Sequence, residues 1–210
     1  MYFKTEGVII SRRNFGEADR ILTIYTRDFG KITALAHGVR RPRSRKAGHI
    51  ELASWCKIFI AKGKNLDLLT EVELKHAFGI ADFTETKANR LYHILELVNA
   101  FTAENQKNQN LFLLLINFLR LIEKNEDFNL VSVLFKIKMM STLGFFSSKS
   151  FQNYKSGAVF KTLEEDNFHS VKKNLKISTR SHLKLLNFLD SMIEDITEKQ
   201  LKTSRFLSYG

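Results

Sequence analysis

The sequence predicts an α+β protein: a five-stranded barrel over residues 1–78 followed by an α-helical domain over residues 79–210. Two changes at the same point carry this prediction. Before residue 78 the apolar pattern is short and alternating; after it, long and helical. The charge also changes density there: residues 1–78 hold 15 Lys+Arg against 8 Asp+Glu, whereas residues 79–210 hold 18 against 14.

The elements follow in order. Thr5 to Ser11 supplies a first strand. Arg20 to Thr26 and Lys31 to His37, rich in Ile, Thr and Leu, form a hairpin around Arg27-Asp28-Phe29-Gly30, whose Asp and Gly suit a tight turn. Trp55 to Ala61 is a fourth strand, and Gly63-Lys64-Asn65 turns the chain into a fifth. In that fifth strand Leu66, Leu68, Thr70, Val72 and Leu74 share one face, a period of two that marks a half-buried strand. Five short strands in so short a segment close into an OB-fold or an SH3-like barrel; the periodicity fits both. Beyond residue 78, Leu91, Ile94, Leu95, Val98 and Phe101 form one helical stripe. Leu111 to Ile122 is apolar on every side and reads as the buried central helix, with Leu130 to Leu143 and Leu183 to Ile196 as further helices. Residues 145–178 show no sustained period and read as loops and short elements.

Composition excludes several classes. A hydrophobic fraction of 44% with 26% charged residues is that of a soluble globular chain. The single cysteine, Cys56, admits neither an internal disulfide nor a zinc site of paired cysteines, so a reducing cytoplasm is the expected compartment. The apolar run from Leu111 is broken at Asn117 and followed by Arg120, short of the roughly 20 residues of a membrane span. The N-terminus lacks a basic stretch leading into an apolar one and reads as starting directly in a strand. No two of the six histidines stand three or four apart, Gly63-Lys64 lacks the rest of a phosphate loop, and neither G-x-S-x-G nor G-x-G-x-x-G occurs. Glu164-Glu165-Asp166 reads as a solvated acidic loop rather than a metal site. Nothing here supports an enzyme, a cofactor or a metal.

The positive signal lies between Asp28 and Glu51. Those 22 residues contain Lys31, Arg40, Arg41, Arg43, Arg45 and Lys46 and no acidic side chain. Glycines bracket the dense part, Pro42 forbids a regular helix interior, and no apolar period folds it down, so it reads as a mobile arm between the third and fourth strands. Arginine suits phosphate because its planar fork pairs two oxygens at once. Crowded cations without a neutralising acid imply a polyanion, whereas the bland alternative is a basic loop serving solubility. A second group, Arg12, Arg13 and Arg20, brackets the turn between the first two strands, where Phe15 is placed to stack a base. Tyr25 is a weaker candidate for stacking, since barrel aromatics usually belong to the core.

Taken together, Thr5-Glu6-Gly7-Val8-Ile9-Ile10, Gly16-Glu17-Ala18-Asp19-Arg20-Ile21-Leu22-Thr23, Thr26-Arg27-Asp28-Phe29-Gly30-Lys31 and Ala36-His37-Gly38-Val39-Arg40-Arg41-Pro42-Arg43-Ser44-Arg45 resemble the RecO family of bacterial recombination mediators. The closing Leu201-Lys202-Thr203-Ser204-Arg205-Phe206-Leu207 is similar to the family's C-terminal pattern, so the resemblance reaches both ends. It implies an N-terminal OB-fold, a helical C-terminal domain and a non-catalytic role in DNA repair and recombination. It further implies binding of single- and double-stranded DNA, annealing of complementary strands and, with RecR, loading of RecA onto DNA coated by single-stranded-DNA-binding protein, in the cytoplasm near the nucleoid. The family's basic loop maps onto Arg40, Arg41, Arg43 and Arg45. Many members carry four cysteines as a zinc module in the helical domain. This chain has none there, so the stretch near Phe145 to His169 must hold its shape by packing or be looser. Lys202 and Arg205 carry two readings: charges at the C-terminus of the last helix, or a patch for DNA or for the acidic tail of single-stranded-DNA-binding protein. The competing class is an RNA-binding or ribosome-associated OB module, which would use the same arm.

Overall fold

A computed structural model describes residues 1–44, 46–78, 84–176 and 178–207. Strands β1 (Tyr2–Phe15), β2 (Asp19–Thr26), β3 (Gly30–Ala36), β4 (Ser54–Ala61) and β5 (Asp67–Ala77) close into a barrel in the order β1-β2-β3-β5-β4, with β4 returning to β1. Neighbours are antiparallel except β3 and β5, which run parallel where Ala34 and Leu35 face Asp67 and Leu68. This is the OB-fold, and it resolves the choice that periodicity left open.

The length of β1 has a reason. Its first half pairs with β4 and its second with β2, and a bulge between Ile9 and Ser11 bends it from one to the other. Ile9 therefore points into the barrel, while Val8 and Ile10 belong to a different core outside it. A bulge also corrects the expected fifth strand. Phe59 faces Glu71 but Ile60 faces Leu69, so Thr70 is the extra residue and the inward face switches there. Leu69, not Leu68, is buried inside with Val72 and Leu74 packed beside it. Cys56 is sealed in the same interior, where burial pushes its thiol up to about 12, so it stays a protonated core residue at neutral pH.

The helices are α1 (Glu85–Phe101), α2 (Gln109–Glu123), α3 (Phe128–Thr142), α4 (Gly157–Glu165), α5 (Phe168–Asn174) and α6 (Thr179–Thr197). Thr84, Asn108, Asp127, Asn167 and Ser178 each accept a backbone N–H at a helix start. Their joint core takes in Val8, Ile10 and Tyr25 from the barrel's outer surface, so one apolar cluster spans both sides of residue 78.

The central helix is α3, not α2. Leu113 in α2 is 57% exposed, whereas α3 buries nearly its whole circumference, including Ser132 and Lys136. The Lys136 ammonium is fully enclosed and lies 2.5 Å from Asp190 of α6, an ion pair that fixes α6 against α3.

Residues 145–178 contain α4, α5 and a 3-10 turn, Ser148–Phe151, more order than the absence of a long period suggested. Packing holds them. Phe146, Phe151, Phe160 and Phe188 of α6 form a ring cluster with centroids 4.6–6.0 Å apart. Glu164, expected in a solvated loop, closes α4 instead, accepting from Ser141 Oγ at 2.6 Å and Ser148 N at 2.9 Å. No helix among the described residues is long and apolar enough to cross a membrane.

Candidate nucleic-acid interface

The two basic groups seen separately in the sequence meet at one end of the barrel. The β1–β2 turn and the long β3–β4 connection leave the barrel together, and backbone contacts join them. Arg40 N donates to Ala18 O at 2.9 Å, and the Arg40 guanidinium donates to Gly16 O at 3.1 Å. Asp19 adds a clasp: Oδ1 accepts from Gly38 N at 2.8 Å, and Oδ2 lies 2.7 Å from His37 Nδ1. The Gly38 amide and the His37 ring hold the Asp19 carboxyl below the usual range.

The connection is not the free arm that the sequence suggested. Val39 and Ile50 are buried in the barrel core and pin both ends of the basic run. Between them the described residues form successive turns, Arg41 N to Gly38 O, Ser44 N to Arg41 O, and a 3-10 turn at Ala47–His49. Isolated apolar side chains without periodicity escape pattern reading, yet here two of them fold the loop onto the barrel.

The cations sort into three groups. Arg13, Arg40, Arg41 and Arg43 are exposed at this end, beside exposed Phe15, and form no ion pair among the described residues. Arg12 and Arg20 share the carboxylate of Glu51, Arg12 through a short contact and Arg20 at 3.2 Å. Two side chains are diverted: Lys46 Nζ donates to Leu69 O at 3.2 Å, and Lys31 Nζ donates to Asn99 O at 2.8 Å, away from the arginines. Arg45 lies outside the described residues. Sequence reasoning missed the two acids that organise the site. Both border the basic segments, Asp19 just before Arg20 and Glu51 at the far limit of the acid-free run, and that placement was the available signal.

Tyr25 is no stacking platform. It is fully buried, its hydroxyl donates to Asn108 O at 3.3 Å, and burial raises its pKa to about 12. The outward side of β2 and β3 is further occupied by the α1–α2 connection, where Thr33 Oγ1 donates to Glu104 at 2.8 Å and Asn105 N donates to Lys31 O at 2.9 Å.

Lys202 does not cap α6. It opens a separate 3-10 turn, Lys202–Phe206, docked on α1: Lys202 N and Thr203 N each donate to Glu96 at 2.9 Å. Thr203 Oγ1 donates to Glu96 at 2.6 Å and so accepts from Nδ1–H of His93, which burial keeps neutral. The Lys202 side chain is exposed, and that of Arg205 lies outside the described residues.

Among the described residues no group of His, Cys, Asp or Glu is arranged to hold a metal ion. The assembled geometry is a crest of guanidinium groups on backbone tied to one end of the barrel.

Residues 1–78 match the family model described as Recombination protein O N terminal, and residues 90–148 that described as Recombination protein O C terminal. The chain is 32% identical over 143 residues to a DNA repair protein RecO from Pelotomaculum thermopropionicum, covering 68% of this chain and 56% of the relative. It is 33% identical over 145 residues to one from Acetivibrio thermocellus, covering 69% and 58%. A third, from Caldicellulosiruptor bescii, is 28% identical over 218 aligned positions, covering 95% and 88%. The match spans a little over half the length of the first two relatives and most of the third.

Proposed function

The chain belongs to the recombination protein O family, and on that premise we propose that it is a non-catalytic DNA-repair mediator that binds single and double strands and anneals complementary ones. The observation that carries the reading is the meeting of two sequence-distant arginine groups on one barrel end, with four guanidinium groups that form no ion pair among the described residues.

Annealing requires no bond chemistry. Two strands repel through their phosphates, and a dense cationic surface offsets that repulsion while leaving base edges free to pair. Arginines held by backbone contacts and facing solvent meet phosphates rather than bases, so binding carries no sequence preference. Phe15, 50% exposed at the same end, adds stacking on an unpaired base, worth about 1–3 kcal/mol in such contacts. In this reading the protein acts with RecR to help RecA displace single-stranded-DNA-binding protein. The exposed Lys202 is a candidate contact for that protein's acidic tail.

The test is strand annealing of complementary oligonucleotides, with and without single-stranded-DNA-binding protein, by the wild type and by Arg40→Glu/Arg41→Glu. The variant is expected to bind all sequences more weakly and to anneal slowly. Unchanged anisotropy titrations in the variant remove the basic crest from the mechanism. A preference for RNA over single-stranded DNA in the same titration would favour the ribosomal alternative.

A further inference from the structure

We infer that the cleft between the barrel and α1, closed on its third side by the C-terminal turn, is a second site that takes a nucleotide unit of a single strand already held at the basic crest. This inference rests on the proposed DNA binding and adds to it a site that the basic run does not reveal. The cleft has a volume of about 840 Å³. That lies within the roughly 300–1,000 Å³ of small-ligand sites and is too small for a duplex.

Its chemistry is that of a nucleotide. Its lining combines apolar surface from Ile10, Leu52, Leu95 and the ring of Tyr92 with Lys31, Lys199 and Lys202. None of these lysines forms an ion pair among the described residues. Lys31 donates to a neutral carbonyl, that of Asn99. Burial and the like charge of Lys199 push its pKa down while Glu104 pulls it up. Glu96 also lines the cleft, but both its oxygens are committed to the amides of Lys202 and Thr203 and to the Thr203 hydroxyl. The lysines thus converge on a space whose one lining carboxylate is already used. Apolar surface beside ammonium groups that form no ion pair among the described residues suits a base and its phosphate.

The strand source follows from continuity. Ser11 lines the cleft, and the same strand continues directly through Arg12 and Arg13 to the basic crest. At about 3.3 Å per residue, Ser11 and Arg13 are roughly 7 Å apart along β1. Leu52 lines the cleft directly after Glu51, the acid that bridges Arg12 and Arg20. A polyanion on the crest therefore passes the cleft mouth.

The experiment compares the full chain with Lys199→Gln/Lys202→Gln, both exposed positions, by anisotropy titration across salt against a thymidine homopolymer and a duplex. Losing the contacts to that one phosphate should flatten the single-strand log–log slope by about 0.7 and leave the duplex slope unchanged. A 5-iododeoxyuridine probe in the homopolymer should photo-crosslink to Tyr92. An unchanged single-strand slope overturns the inference, as does equal flattening for the duplex. So does a variant that loses binding of thymidine monophosphate alone while keeping its strand slope, since the occupant is then a free nucleotide. Failure of the underlying reading looks different: the wild type then shows no salt-dependent binding to either DNA.

Discussion

Removing an acid should strengthen DNA binding at one position. Glu51 holds the guanidinium groups of Arg12 and Arg20 at the edge of the basic crest, so Glu51→Gln releases both for phosphate. Its carboxylate is 39% exposed, and exposed ion pairs contribute about 0–1 kcal/mol, so the fold survives the change. With Arg13, Arg40, Arg41 and Arg43 as the contacts, the duplex slope in log affinity against log salt is about −3.6 for wild type; two further contacts make it about −5.4. Between 50 and 200 mM salt the wild type then loses about 150-fold in affinity and the variant about 1,800-fold. The variant's advantage should grow about twelvefold as salt falls across that range. Fluorescence anisotropy with a labelled duplex at several salt concentrations reads this directly. A variant that binds more weakly, or with the wild-type slope, refutes the assignment of Glu51 as a brake and of Arg12 and Arg20 as reserve contacts.

Three other perturbations have defined outcomes. Asp190→Ala removes the carboxylate facing the buried Lys136 ammonium and should cost about 3–5 kcal/mol in urea unfolding, whereas Lys136→Met/Asp190→Leu together should be near neutral; equal losses in both would show that charge burial is not the cause. Asp19 has a lowered folded pKa, so its clasp contributes fully above the ordinary value of 3.8 and is lost as pH falls through the depressed one. The Gly38 amide resonance should accordingly hold steady from pH 7 to about 4 and shift only below 3.8; a midpoint at or above 3.8 contradicts the clasp. Phe160→Ala should cost about 3–5 kcal/mol by opening the ring cluster, while a strong chelator leaves the melting temperature unchanged; a chelator-sensitive melt would reveal a metal the packing account omits.

The strands were legible because alternation survives wherever one face is wet, and β2, β3 and β4 begin and end within a residue of the pattern. The phase of β5 was not, since a bulge at Thr70 inserts one residue without altering the look of the sequence. The choice of central helix failed for a related reason. Hydrophobicity marked α2, but the burial of α3 runs through the polar residues Ser132 and Lys136, and the Lys136 charge meets Asp190, a partner distant in sequence on α6. The arginines of the site were visible as an acid-free run. Its geometry was hidden because Val39 and Ile50 are single side chains whose partners lie in the barrel interior. The cleft was hidden more deeply: Lys31, Tyr92 and Lys199 come from three distant parts of the chain.

The placement of the crest follows from what the helical body covers. An OB-fold commonly receives oligonucleotides across its second and third strands. Here that surface is taken: Tyr25 is sealed under Asn108, Lys31 reaches the end of α1, and Thr33 holds Glu104. On the proposed reading, nucleic acid approaches from the barrel's end, where Val39 and Ile50 fold the β3–β4 connection down and Asp19 ties it to the β1–β2 turn. An end-on crest offers charge without the broad sheet surface on which bases can lie flat, so in the proposed mode it grips backbone and ignores sequence. In the proposed reading the helical body thereby sets the mode of binding; it also buries the barrel's apolar flank. Detaching the barrel from it would expose Val8, Ile10 and Tyr25, and with them a sheet face able to stack bases.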